Sequence, residues 1–145
     1  MVAKRLKSGL FSLPSNRRGS VAVEFAMISP LLMALFFGAL EYSFILFSFS
    51  SMQFGANVVS RRLSVNKVTI ANVPARVKTY LPGWFASRAT VSVTQSDPAN
   101  PRTNVIKVRV TLPATAATPI ALFTRNASWT LIADASLNQE IPYED

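Results

Sequence analysis

The chain has 145 residues, which is room for one small domain and an additional segment. Half of its residues are hydrophobic, its formal net charge is +8, and it contains neither cysteine nor histidine. That composition excludes a disulfide framework, a Cys- or His-based nucleophile and a Cys or His metal site. The five glycines are scattered, and none opens a helix with the spacing of a phosphate-cradling loop.

The charge is unevenly placed. Lys4, Arg5, Lys7, Arg17 and Arg18 precede Ser20 with no acid among them, and from Ser20 onward ten basic residues face seven acids. A nucleic-acid footprint needs a sustained basic face, which this distribution does not supply. Residues 1–19 read as a basic leader, too polar for the apolar core of a secretory signal.

An apolar run follows from Phe25 to Phe47, with Glu41 its one charged residue. Its 23 residues rise about 34 Å as a helix, against a hydrocarbon layer of about 30 Å. It reads as a membrane-spanning helix that stays in the mature protein. Pro30, one turn inside, is of the kind membrane helices tolerate. The basic leader places residues 1–19 in the cytoplasm and the C-terminal part across the membrane. A carboxylate in such a segment is costly and raises a functional hypothesis by default. Glu24 stands at the entrance, either at the headgroup boundary or in a functional role. Glu41, about 25 Å further along, either reaches the outer interface or faces a partner helix.

The periodicity continues past the apolar run. Met52, Val59 and Leu63 form one line and Phe47, Phe54, Val58 and Val65 a neighbouring one, at spacings of threes, fours and sevens. One continuous helix from about Ser20 to Val65 is expected, with Ser48, Ser50 and Ser51 marking its exit from lipid.

Beyond it, Asn72 and Pro74 start a short helix that Pro82-Gly83 ends. Ala89–Thr94 and Val105–Leu112 alternate as two strands of a hairpin, joined by the loop around Asp97-Pro98 and Asn100-Pro101. Thr118-Pro119 is expected to begin a helical turn through Phe123. Ser128–Leu137 is expected as a third strand with Trp129, Leu131, Ala133, Ala135 and Leu137 on one face. Lys107 and Arg109 point outward as a solvated pair, and they protect a sheet edge only if their strand is not central. The fold class is therefore α+β: a long N-terminal helix on a small antiparallel sheet. The chain divides into a leader (1–19), a long helix (20–65, spanning at about 25–47) and an extracytoplasmic domain (66–145).

Two motifs carry a family resemblance. Gly19-Ser20-Val21-Ala22-Val23-Glu24-Phe25 resembles the cleavage motif of type IV prepilins: glycine, the cut, then glutamate as the fifth mature residue before an apolar helix. More narrowly, Arg18-Gly19 with Val23-Glu24-Phe25-Ala26, then Pro30, then Gly38 followed by Glu41, resemble the TadE-like family of Tad (Flp-type) pilus systems. Ala56–Arg62 is similar more loosely to the Ala/Arg-rich stretch that family carries after its span.

The resemblance implies a minor pilin or pseudopilin of pilin-like fold in the bacterial inner membrane. It would be the substrate of a prepilin peptidase, not an enzyme, with no catalytic residue, metal or cofactor. Gly19, Ser20 and Glu24 are the processing residues it implies. Ser20, Glu24, Phe25, Pro30 and Glu41 are the implied intersubunit contacts. The implied partners are the peptidase, other pilins, the assembly platform and membrane lipid, with no nucleic acid. The competing expectation is an uncleaved single-pass anchor whose outer domain binds an envelope partner.

Overall fold

The computed structural model describes residues 17–140. The chain is α+β: helix α1 (Arg17–Ser64), short helices α2 (Val73–Lys78) and α3 (Gly83–Ala86), and strands β1 (Thr90–Gln95), β2 (Val105–Pro113) and β3 (Thr130–Asn138). Single 3₁₀ turns lie at Ile70–Asn72 and Ala114–Ala116. It forms two compact units that divide within α1, between Leu35 and Phe36.

In the first unit α1 passes through Pro30 without interruption. None of its described side chains from Gly19 to Leu35 is buried. Val21, Phe25, Met27, Leu31, Leu32 and Leu35 are all more than half exposed. Water cannot be the intended surroundings of so much apolar surface. Between Gly19 and Ser64, α1 is long and apolar enough to cross a membrane.

The second unit begins with the remainder of α1. A buried stripe runs along it through Glu41, Ser48, Met52, Ala56, Val59 and Leu63, at the three-, four- and seven-residue intervals that keep one face together. The Met52–Val59–Leu63 line is thus core, while Phe47 and Phe54 of its neighbour remain exposed. At Gly55 α1 lies close to α2: a Cβ there would stand in ordinary contact with Tyr80 Cβ at 3.4 Å and the Val77 carbonyl oxygen at 3.5 Å. Ser48 does not mark an exit into water. It is fully buried and donates to the Ala117 carbonyl at 2.7 Å.

The helix stops for an identifiable reason. Asn66 takes a left-handed conformation (φ 57°), its N–H donates to the Leu63 carbonyl, and the Lys67 N–H donates to that of Arg62. This is the Schellman closure, in which asparagine is the usual substitute for glycine.

The sheet is antiparallel with order β1-β2-β3. On β2 the inward residues Ile106, Val108, Val110 and Leu112 are fully buried, matching the strict alternation of the sequence. On β3 the inward face is small: Leu131, Ala133 and Ala135 are buried, and Trp129 lies outside the strand and is half-exposed. Edges are protected by other means than the outward cations. Because β2 is central, Lys107 and Arg109 guard no edge. On the β3 edge, the Gln53 side chain of α1 donates to the Asp134 carbonyl at 2.9 Å.

Three local readings differ from the sequence expectation. Asn72 makes no side-chain cap, although Pro74 does stand in the first turn of α2. Pro82-Gly83 does not end α2, which stops at Lys78, but opens another helix, α3, where the Pro82 carbonyl accepts from Phe85 and Ala86 and Phe85 enters the core. Residues 118–123 form no helical turn, and the 3₁₀ turn lies earlier, at Ala114–Ala116. The N–H groups of Leu122 and Phe123 are committed to a side chain of α1 instead of to a helix ladder.

The outward pair on β2 is not left to solvent. Arg109 Nε and Nη2 donate to the two Asp134 carboxylate oxygens at 2.8 and 2.9 Å, and Lys107 Nζ stands 3.1 Å away. Arg109 and Asp134 are directly opposed across the ladder. The guanidinium hydrogen bonds, with Lys107 adding to them, hold the Asp134 carboxyl down at about 2. A depressed carboxyl contributes stability that is complete above its unfolded value near 3.8 and lost as pH falls through about 2. The contribution is small, since both cations are nearly half exposed. Asp134→Asn is expected to flatten the acid limb of stability between pH 4 and pH 2, read from unfolding midpoints of the detergent-solubilised chain. An unchanged acid limb would show that this cluster contributes nothing to folding.

Candidate functional site

Two glutamates organise the polar chemistry of α1, and each lies in its own unit. In the first, Gly19 and Ser20 occupy the opening turns of the helix, both exposed. A Cβ added to Gly19 would meet nothing within 4 Å. The Ser20 hydroxyl donates to Glu24 Oε1 at 3.0 Å, one turn along. Glu24 is exposed, as is Phe25, and Pro30 follows on the same uncovered helix.

The first turn of α1 contains no acid, because the helix begins at Arg17. A helix N-terminus carries partial positive charge and favours a nearby carboxylate. A chain starting at Ser20 would bring Glu24 to within about one turn of its new end, with the Ser20 amine beside it.

The second unit holds Glu41 in an enclosed setting. Its side chain is 2% exposed. Four donors from one loop converge on it. The N–H groups of Leu122 and Phe123 reach Oε2 at 3.0 and 2.8 Å, and the N–H and hydroxyl of Thr124 reach Oε1 at 2.9 and 2.6 Å. The backbone is bent to make this possible: Ala121, just before the three amides, has φ 43°. A left-handed residue followed by consecutive amides forms a nest, a concavity of N–H groups that takes an anion. Here the anion is the chain's own carboxylate. The strain at Ala121, roughly 1–2 kcal/mol for a residue with a Cβ, is offset by the charge-assisted bonds it permits.

Phe123 then lies over the helix, its Cε2 3.6 Å from where a Cβ on Gly38 would be. Beside it a groove of about 250 Å³ is lined by Gly38, Glu41, Tyr42, Ile45, Phe123 and Thr124. The carboxylate of Glu41, expected at the outer interface or against a partner helix, finds these four donors within its own domain. Nothing in the local sequence of 118–125 signals that its amides go unpaired. The nearest clue is Thr118-Pro119, which starts a turn without a helix pattern after it.

The two motifs thus lie on one helix: Gly19 with Glu24 at its start, Gly38 with Glu41 where the folded unit begins. Residues 19–61 match the family model described as TadE-like protein. The TadE-like match opens at the glycine of the first motif and closes one turn before the end of α1. It includes both glutamates and leaves the sheet and the loop that holds Glu41 outside. No curated protein and no solved structure matches the chain. Among the described residues, no group of three or more acids could hold a metal ion.

Proposed function

We propose that this chain is a minor pilin-like subunit, or pseudopilin, of a Tad-type pilus or a related secretion apparatus. The observation that carries the reading is the TadE-like match over 19–61, laid on a helix whose N-terminal half is apolar and uncovered. The basic leader holds the N-terminus in the cytoplasm, and a prepilin peptidase cuts between Gly19 and Ser20. The chain is thus an enzyme's substrate and does no chemistry itself. Its domain lies outside the inner membrane, and other pilins and the assembly platform are its partners.

Two physical features support processing. A Cβ on Gly19 would meet nothing within 4 Å, and the scissile bond lies in the opening turns of the helix, where orphan N–H groups make fraying inexpensive. The cut leaves an ammonium on Ser20 at the positive end of a helix dipole, a poor place for a cation unless a carboxylate pairs with it. Glu24 supplies that partner, on the same chain or on a neighbour whose helix lies alongside.

Intact mass of the chain purified from membranes of its native host tests this. The expected mass lacks residues 1–19. Full-length protein in a host with an active prepilin peptidase would refute the processing and favour the uncleaved anchor.

A further inference from the structure

We propose that the loop Thr118–Arg125 is a second membrane contact, which seats Leu122 and Phe123 in the interfacial layer of the bilayer where α1 leaves it. The proposal rests on reading α1 as membrane-spanning and adds a surface that the helix motif does not contain.

Glu41 is the first buried residue of α1 among those described. From Val21 to Leu40 no described side chain is buried, and those 20 residues rise about 30 Å, the thickness of a hydrocarbon layer. Counted from Val21 the outer boundary of the hydrocarbon falls at Glu41, and counted from Phe25, where the apolar run opens, it falls one turn further on, at Phe44. The sequence alone extended the apolar run to Phe47, but the turns beyond Leu40 are partly clothed by the chain's own domain.

The loop is fixed at that level by the four hydrogen bonds to Glu41. It presents apolar side chains outward, with Leu122 55% and Phe123 63% exposed. Exposed backbone amides would bar a loop from this depth, since lipid cannot satisfy them. The Glu41 carboxylate removes that obstacle for three consecutive amides. The surroundings have interfacial composition. Tyr42 is exposed on the helix, and Trp84 packs its ring 5.9 Å from those of Phe44 and Phe47, one to two turns beyond Glu41. Trp and Tyr concentrate where apolar and polar layers meet. Arg125, exposed and next along the loop, offers a cation to lipid phosphate.

Quenching of tryptophan fluorescence by brominated lipids tests the proposal on the full chain. The protein is reconstituted in phosphatidylethanolamine–phosphatidylglycerol vesicles, brominated either near the headgroup or near the chain ends. Single-tryptophan proteins are made in a Trp84→Phe/Trp129→Phe background, with Phe123→Trp as the probe and Leu122→Trp as a second probe. Leu31→Trp reports the span, and Ser92→Trp, on the exposed face of β1, reports water. The loop probes are expected to lose emission to shallow bromines more than to deep ones, the Leu31 probe the reverse, and the Ser92 probe to neither.

Quenching at Leu31 with none at either loop position would overturn the loop contact and leave the spanning helix standing. No quenching at any position would remove both. Loop quenching that disappears as protein is raised relative to lipid would assign the surface to a second copy of the chain.

Discussion

Glu41→Gln is expected to free the 118–125 loop without unfolding the sheet. The substitution keeps the length and shape of the side chain and changes only what it can accept. Each carboxylate oxygen takes two donors, and at least one of each pair is a backbone N–H that cannot reverse its role. Wherever the amide nitrogen is placed, it faces an N–H. Hydrogen bonds to a charged group are worth about 1.5–3 kcal/mol each, and a buried donor left unmet costs about 1–3 kcal/mol, so about 2 kcal/mol of loop stability should be lost. At tenfold per 1.4 kcal/mol, the amides of Leu122, Phe123 and Thr124 should exchange roughly 30-fold faster with deuterium in the detergent-solubilised full chain. Amides of β2 should be unaffected, because its core of Ile106, Val108, Val110 and Leu112 contacts none of these groups through hydrogen bonds. Glu41→Ala should do at least as much harm, and it also removes the side chain beneath Phe123. Unchanged exchange at the three amides would mean that the loop is held by Phe123 packing on Gly38, and that the carboxylate is incidental.

That prediction could not have been made from the sequence, and the reason is physical. The elements read correctly are those whose pattern is local. The alternation of β2 survives intact because each inward residue meets the same core, and α1 was legible as one helix because its apolar residues keep helical spacing on both sides of the membrane boundary. The Glu41 site is different in kind. It joins residues about eighty positions apart, and its recognition is by backbone amides, which every residue carries and no residue type advertises. The same blindness explains the expected turn at 118–123. Thr118-Pro119 can start a helical turn, but the N–H groups of Leu122, Phe123 and Thr124 go to a distant carboxylate and not to a ladder. Asp134 shows a milder case: an acid opposite Arg109 becomes visible only when the register of β2 and β3 is known.

The two glutamates of the TadE-like segment therefore stand in opposite circumstances, and the contrast sharpens the reading of the first. Glu41 is satisfied four times over within its own domain and has nothing left to offer a neighbour. Glu24 has one described hydrogen bond, from a serine hydroxyl one turn back, on a helix with no cover. In an apolar layer that is a costly state for a carboxylate. The cost would be relieved by a cation beside it, and the proposed cut before Ser20 would supply one as the new amine. Such an attraction is large only where water is excluded, so in the proposed assembly it would act as helices come together in the membrane and scarcely before.

Glu24→Ala is expected to leave membrane insertion and the mass of the processed chain unchanged while abolishing incorporation into the assembled apparatus. Insertion is driven by the apolar residues from Val21 to Leu40, and removing a carboxylate only makes that segment cheaper to place in lipid. The proposed cleavage site, Gly19, is not touched by the substitution. What is lost is the pairing of ammonium and carboxylate, and with it the register between neighbouring helices. Glu24→Gln distinguishes charge from hydrogen bonding, because it retains an acceptor for the Ser20 hydroxyl and for the amine but no charge. If the ion pair sets the register, the glutamine variant should assemble as poorly as the alanine variant. The measurement is recovery of the chain in sheared pilus or secretion-complex fractions, scored against its level in membranes. Normal recovery of the alanine variant would refute the assembly role of Glu24. Normal recovery of the glutamine variant alone would reduce that role to a hydrogen bond. Gly19→Arg completes the set, since a chain that keeps residues 1–19 never exposes the Ser20 amine. It should fail at the same step as Glu24→Ala, with the leader still attached and the domain that holds Glu41 still folded.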